Sequence, residues 1–373
     1  QEMQKTLDVL DLQEYAEYSN ELAAENNLSA NPLFADPSIL GEGTNWQEEI
    51  FEMALMHNHD LSVSGGNEKS TYAMSIGYTD QEGIVLGSGF DRLSSRINAE
   101  SKAFDWLTIG GNMSLGQTNE TITLNDDNRG VVSLALIQRP EIPVKLPDGS
   151  WGGPQEGQAA LTNPVAMAQI RDNELKRVRF MSNVHADVTL TEGLVFKTKF
   201  GSDMSFVNNY GFNPTYEFGT IVNELNQSRR NFANNRSWIF SNFLTYNKDF
   251  ANGDIQTQTM LGAESQESNW EGMMGMRSDF ISNDIQELNA GDAETAVNSQ
   301  YKGSNALESY FGRLNLTFFE RYLLTATYRA DGSSNFAPDN KWGYFPSMAL
   351  AWKISKEGFM QNQDAVSSLS LRL

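Results

Sequence analysis

Apolar and polar side chains alternate along most of this chain with a period of two. Leu107, Ile109, Met113 and Leu115 share one face of an extended segment whose other face carries Thr108, Asn112 and Ser114. Tyr72, Met74, Ile76 and Tyr78 oppose Ala73, Ser75 and Gly77 in the same way, and Leu324, Ala326, Tyr328 and Ala330 oppose Thr325, Thr327, Arg329 and Asp331. Met348, Leu350, Trp352 and Ile354 oppose Ser347, Ala349, Ala351 and Lys353. Successive side chains of a strand point to opposite sides, so each segment has one greasy and one polar face. A strand of a transmembrane barrel needs that division, with lipid outside and water or a plug inside.

The pattern predicts strands over 59–65, 71–79, 90–101, 105–117, 179–190, 194–204, 237–247, 255–266, 309–318, 322–331 and 344–355, with a twelfth beginning near Leu369. The connections fall into two classes. Those near 66–69, 102–104, 191–193, 251–253 and 319–321 are tight, and Gly66-Asn67 and Asn252-Gly253 supply hairpin chemistry. Those over 80–89, 118–178, 205–236, 267–308 and 332–343 are long. Strict alternation of short and long connections fits an up-and-down barrel better than a soluble sandwich, with short turns at the periplasmic rim and long loops at the extracellular one. Ahead of the strands, residues 12–26 read as a helix with Asp11 as N-cap and Glu14 completing a capping box, and 46–56 as a second helical piece. The expected fold is all-β: a transmembrane antiparallel barrel over 57–373, preceded by an extracellular segment over 1–56. Tyr322, Trp342, Tyr344, Phe345, Trp352, Trp238 and Phe240 gather near strand ends, where a headgroup girdle and cross-strand pairing both explain them.

Mean hydropathy of -0.45, with no run of 18 apolar residues, excludes a membrane helix but not a barrel. The absence of cysteine suits passage through an oxidising compartment. A net charge of -21 argues against nucleic acid and disfavours polyanionic ligands. The acidic residues concentrate between strands, at Glu14, Glu17, Glu21, Glu25, Asp126, Asp127, Asp284, Glu287, Asp292 and Glu294; a solvated surface and a calcium-binding loop both account for them. The chain opens at Gln1 without a signal peptide and stops inside the alternating run 369–373, so both ends read as cut.

Residues 57–117, HNHDLSVSGGNEKSTYAMSIGYTDQEGIVLGSGFDRLSSRINAESKAFDWLTIGGNMSLG, resemble the early barrel of the SusC/RagA family of TonB-linked outer-membrane receptors. Residues 307–360, LESYFGRLNLTFFERYLLTATYRADGSSNFAPDNKWGYFPSMALAWKISKEGFM, resemble a mid-barrel block of that family, and LDVLDLQEYAEYSNE and TNWQEEIF sit where it places comparable text. The resemblance implies a 22-stranded barrel occluded by an N-terminal plug, with a SusD-like lipoprotein over its extracellular mouth. It also implies energy coupling through the TonB complex and uptake of glycans or peptides across the outer membrane of Bacteroidetes. On this reading the chain is the N-terminal half of the barrel, without plug, first strand or second half. An outer-membrane adhesin or secretion β-domain without energy coupling is the alternative.

No catalytic constellation is legible: no G-x-S-x-G elbow with a downstream Asp and His occurs, and the expectation is a non-enzyme without cofactor. His57 and His59 share a strand face, as a two-point metal ligand or as polar residues at a strand end; His185 stands apart, and no metal site is expected. The run 125–130 has calcium-loop composition without calcium-loop spacing. Lumen-facing Arg92, Arg96, Glu100, Lys197, Lys199, Arg313, Arg329 and Asp331 must be paired or hydrated; docking of a plug is the expected role of the cations among them, with contact with ligand as the alternative. Trp151, Tyr210, Tyr216, Trp270 and Tyr301 fall in the predicted long loops as candidate ligand contacts, with contact with the SusD-like lid and self-packing of the loops as the alternatives, and Trp151 on an exposed bend over 147–154.

Overall fold

The computed structural model describes residues 1–123, 130–362 and 365–373. Its strands are β1 (Met56–Gly66), β2 (Ser70–Glu82), β3 (Gly89–Phe104), β4 (Leu107–Thr121), β5 (Asp172–Thr191), β6 (Leu194–Asn213), β7 (Tyr216–Phe218), β8 (Ile221–Asn223), β9 (Gln227–Phe250), β10 (Ile255–Ser278), β11 (Val297–Phe318), β12 (Tyr322–Ser333), β13 (Trp342–Trp352) and β14 (Leu371–Arg372). All but β7 and β8 form one antiparallel sheet in chain order, with β1 and β14 as its edges. This is the up-and-down architecture that the alternation of short and long connections called for.

The strands are longer than the polarity pattern marks. β9 and β10 have 24 residues each, whereas a tilted strand crosses a bilayer in about 9–11. Most of 205–213, 227–236, 267–278 and 297–308, expected as loop, continues the ladder. Above the expected crossing both faces become polar, as at Asn208, Arg236, Glu267 and Asn269, so the alternation of polarity fades while the alternation of direction persists. In the opposite sense, β13 stops at Trp352, and Ile354–Lys356 is a 3-10 turn, so Ile354 does not extend the apolar row. The β3–β4 turn is made by Asp105 and Trp106 rather than by 102–104.

At the long-loop rim the connections build a layer of their own. Helix α1 (Leu12–Glu25) carries the expected capping box, Asp11 Oδ1 accepting from the Glu14 amide at 2.8 Å and Glu14 Oε2 accepting from the Asp11 amide at 3.2 Å. Helix α2 (Trp46–Ile50) is shorter than expected because the chain turns extended at Phe51 and bridges to Val85. Two further helices, α3 (Val131–Ile137) and α4 (Pro164–Ile170), lie inside the β4–β5 connection. Trp46 and Ile50 bury against Val131, Ala135, Val165, Ala166 and Phe218, forming the largest apolar core of the described residues. The β1 to β14 sheet itself has no such core, because one face of each strand is left exposed.

Candidate functional site

The strand register turns a pattern seen strand by strand into a surface. On the outward face, Val63, Met74, Ile97 and Met113 make one row across β1 to β4. Gly111, Val184, Phe200 and Phe240 carry the apolar band on through β5, β6 and β9, and Leu316, Leu324 and Leu350 through β11 to β13. Above the band the same face turns polar along a line: Asp80, Asp91, Asn119, Lys176 and Asn208 are successive partners from β2 to β6. Asn234, Glu271 and Lys302 do the same across β9 to β11. A contiguous apolar belt bounded by charge is what a bilayer of finite thickness demands of a barrel wall. His57 and His59 stack at 6.4 Å near this boundary, His57 opposite Asp80. They are strand-end residues on the outward face, and no group of three metal-ligating side chains occurs among the described residues. The acidic run with Asp126 and Asp127 lies outside the described residues.

All six cations expected to face the lumen share the opposite face. They differ in partners. Lys197 pairs with Asp187 at 2.6 Å, and Arg329 with Asp331 at 2.7 Å while donating to Ser309 Oγ at 3.0 Å. Arg92, Arg96, Lys199 and Arg313 form no ion pair with a described residue. Two arginines absent from the sequence-derived set join this face, Arg177 and Arg179 on β5. Arg179 meets Asp203 through two hydrogen bonds of 3.0 and 2.6 Å. The segment Lys176-Arg177-Val178-Arg179-Phe180 alternates with period two, and that signal places both guanidinium groups on the lumenal face. A recess of about 390 Å³ opens there, lined by Arg177, Arg179, Asp203, Ser205, Ser237 and Trp270 among others.

The five aromatic candidates separate. Trp270 and Tyr301 stand on neighbouring strands β10 and β11 and face the lumen, not in loops but on the strand extensions. Glycines make room for them: Gly303 lies beneath the Trp270 indole and Gly272 beneath the Tyr301 ring, so that a Cβ at either would come within 2.5 Å of the ring. Tyr210 turns outward instead; its hydroxyl donates to Gln286 Oε1, Arg230 covers its ring at 3.7 Å, and it packs with Phe212 and Phe280 to hold down the β10–β11 connection. Tyr216 stacks on Phe218 at 4.5 Å. Trp151, expected on an exposed bend, folds back against the apolar core of the loop layer with Lys145 Nζ 4.4 Å from its ring centroid. Burying the indole outweighs exposing it. The apex of that bend is Gly149 at φ +89°, beside Asp148, whose carboxyl the Ser150 hydroxyl and amide hold below its ordinary range. Asn163 ties the layer together, fully buried, donating to Val144 O at 2.9 Å and Gly152 O at 3.0 Å and accepting from the Ala166 amide at 3.1 Å.

Comparison with known proteins agrees with this geometry. No family model matches the chain. TonB-dependent receptor P3 of Formosa agariphila is 30% identical over 382 residues, covering all of this chain and 36% of the relative. TonB-dependent receptor SusC of Bacteroides thetaiotaomicron is 28% identical over 396 residues, covering 99% of this chain and 37% of the relative. The chain thus spans little more than a third of the length of these curated relatives. Among solved structures, the RagAB peptide transporter superposes with a TM-score of 0.74 at 22% identity, over 97% of this chain and 40% of that one. The RagAB peptide importer in its closed-closed state gives 0.75 at 23% identity, over 89% and 37%.

Proposed function

We propose, on the premise that this chain belongs to the SusC/RagA family of TonB-dependent receptors, that it is wall and mouth of an outer-membrane importer for oligosaccharides or peptides. The observation that carries the reading is the outward apolar belt, which steps from row to row across β1 to β9, through Leu244 and Leu261 into β10, and on through β11 to β13, bounded above by a polar line, on strands whose opposite face is polar. Such a wall separates lipid from an aqueous passage and performs no covalent chemistry. Residues 1–55 and the loop layer around α3 and α4 sit at the extracellular mouth, where a SusD-like lipoprotein would dock and where long connections are tolerated. The tight turns face the periplasm, where TonB would act on a plug held against the lumenal face. Lys197, Lys199 and Arg313, close to the tight-turn rim, and Arg329, further up β12, are the cations we assign to that plug. None of the relatives above is named as an adhesin or secretion β-domain.

The test is growth of a strain lacking the full-length gene on a panel of oligosaccharides and peptides. Growth should fail on one class of nutrient, return with the gene, and fail again without TonB. Unchanged growth on every substrate, or rescue that ignores TonB, would overturn importer function.

A further inference from the structure

Four arginines that the sequence spreads over 88 positions meet on one lumenal patch. Arg92 pairs with Thr118 and Thr118 with Arg177, so the two guanidinium-bearing residues stand two strands apart in a single row, about 10 Å at ordinary strand spacing. In the next row down, Ser94, Gly116 and Arg179 are partners, and in the third, Arg96, Ser114 and Met181. The residues between the arginines are therefore small, which leaves the four side chains free to converge over them. From β2 to β9 these rows contain one carboxylate, Asp203, already engaged by Arg179. Glu120 lies one row above Arg92 and forms no ion pair with it. Thr118 Oγ1, between Arg92 and Arg177, is buried without a hydrogen-bond partner in the described structure.

The same rows lead to the aromatic pair. From Arg179 the partners run through Ser205 and Asn235 to Trp270, and from Arg177 through Val207, Ala233 and Gly272 to Tyr301. Three strand spacings, about 14 Å, separate the basic patch from the indole. A linear ligand lying across this wall would meet guanidinium groups at one end, small polar side chains in the middle and two ring faces at the other. The net charge of -21 belongs to other surfaces and does not describe this one.

We infer that this patch selects oligosaccharides bearing carboxylate or sulfate groups, with Arg92, Arg96 and Arg177 binding the anions and Trp270 and Tyr301 stacking on sugar rings. The inference rests on the import reading and narrows its substrate. Guanidinium forks match planar carboxylate and sulfate oxygens, and these exposed side chains are free to close on them. A sugar is favoured over a peptide because the backbone groups of these interior strands are committed to the ladder on both sides. No edge is left there for an extended chain to join.

The experiment is calorimetric titration of the full-length receptor with its lipoprotein, using four probes: tetragalacturonate, a heparin-derived tetrasaccharide, neutral maltotetraose and tetraglutamate. One or both acidic oligosaccharides should bind more tightly than the other two, and weaken as salt rises. Arg92→Gln with Arg177→Gln should reduce that affinity by about tenfold or more, Arg177→Lys should restore part of it, and Trp270→Ala should weaken binding without changing its salt dependence. Retention of heat-modifiable migration shows that each variant has folded, and Arg96→Gln, which breaks no ion pair, serves if the double variant does not. Preference for maltotetraose, preference for tetraglutamate, or no loss on removing the arginines would overturn the inference. A TonB-dependent growth phenotype alongside such a result would leave import itself standing.

Discussion

Two stretches of the same wall, the apolar belt and the extension above it, are built from the same strands and differ in which solvent they meet. In the belt, the outward row Val63, Met74, Ile97, Met113 carries no charge. Three rows higher the outward partners are Asp80, Asp91, Asn119 and Lys176. The backbone ladder is indifferent to the change. What differs is how each level is stabilised: the belt by lipid on one side and hydrogen-bonded strands throughout, the upper wall by a layer of packed loops with its own apolar core. A fold can thus be continuous in hydrogen bonds and discontinuous in solvent.

The largest expected effect separates the two levels. Trp46→Ala removes a buried indole from the core of the loop layer and should cost about 3–5 kcal/mol of local stability. In hydrogen exchange on the full-length receptor, amides of α3 and α4 should lose protection while those of β3 and β4 within the belt keep theirs. Loss of protection in both would mean that the layers are one cooperative unit. A smaller effect is expected at Asn163, whose amide joins three backbone groups; Asn163→Ala should cost about 1–3 kcal/mol and increase proteolysis within 144–170. Cleavage unchanged from the parent would deny Asn163 its tethering role.

The smallest concerns the tight-turn rim, where Glu357 accepts from Tyr322 at 2.7 Å, Trp352 at 2.9 Å and Arg321 at 3.0 Å. The Tyr322 and Trp352 hydrogen bonds, followed by the nearby Arg321, hold its carboxyl below the ordinary value of 4.5. Because the folded value is the lower one, this contribution is complete above pH 4.5 and is lost as pH falls through the depressed value. Trp352 fluorescence should therefore titrate below pH 4.5 in the parent and not in Glu357→Gln. A titration common to both would place its origin in another group.

The belt was legible in the sequence because lipid and water impose opposite demands on alternate residues, so Leu107, Ile109, Met113 and Leu115 announce their face without a partner in view. The upper strands were not, because Asn208, Arg236 and Asn269 are polar on a face that water also touches, and only pairing reveals that they are strand. Helices α3 and α4 were hidden inside a long connection, although the run VVSLALI and the pair Asn163-Pro164, a cap followed by proline in the first turn, carried a helical signal. For the site, the faces of Arg92 and Arg96 followed from parity, but their nearness to Arg177 depends on the register of β3, β4 and β5, and Trp270, read as loop, found its face only through pairing. Trp151 illustrates the reverse: a Gly/Pro-rich bend identifies a turn, not which way its aromatic residue points.

The claim on which the rest depends is that the outward face changes solvent between Met113 and Asn119, six positions apart on one face of β4. Refolding titrations of the full-length receptor into lipid vesicles, with arginine placed at each position in turn, test it directly. Met113→Arg should cost about 2–4 kcal/mol and Asn119→Arg about 0–1 kcal/mol, the difference between hydrocarbon and interface. Equal costs at the two positions would mean that no lipid boundary lies between them, and would contradict the belt.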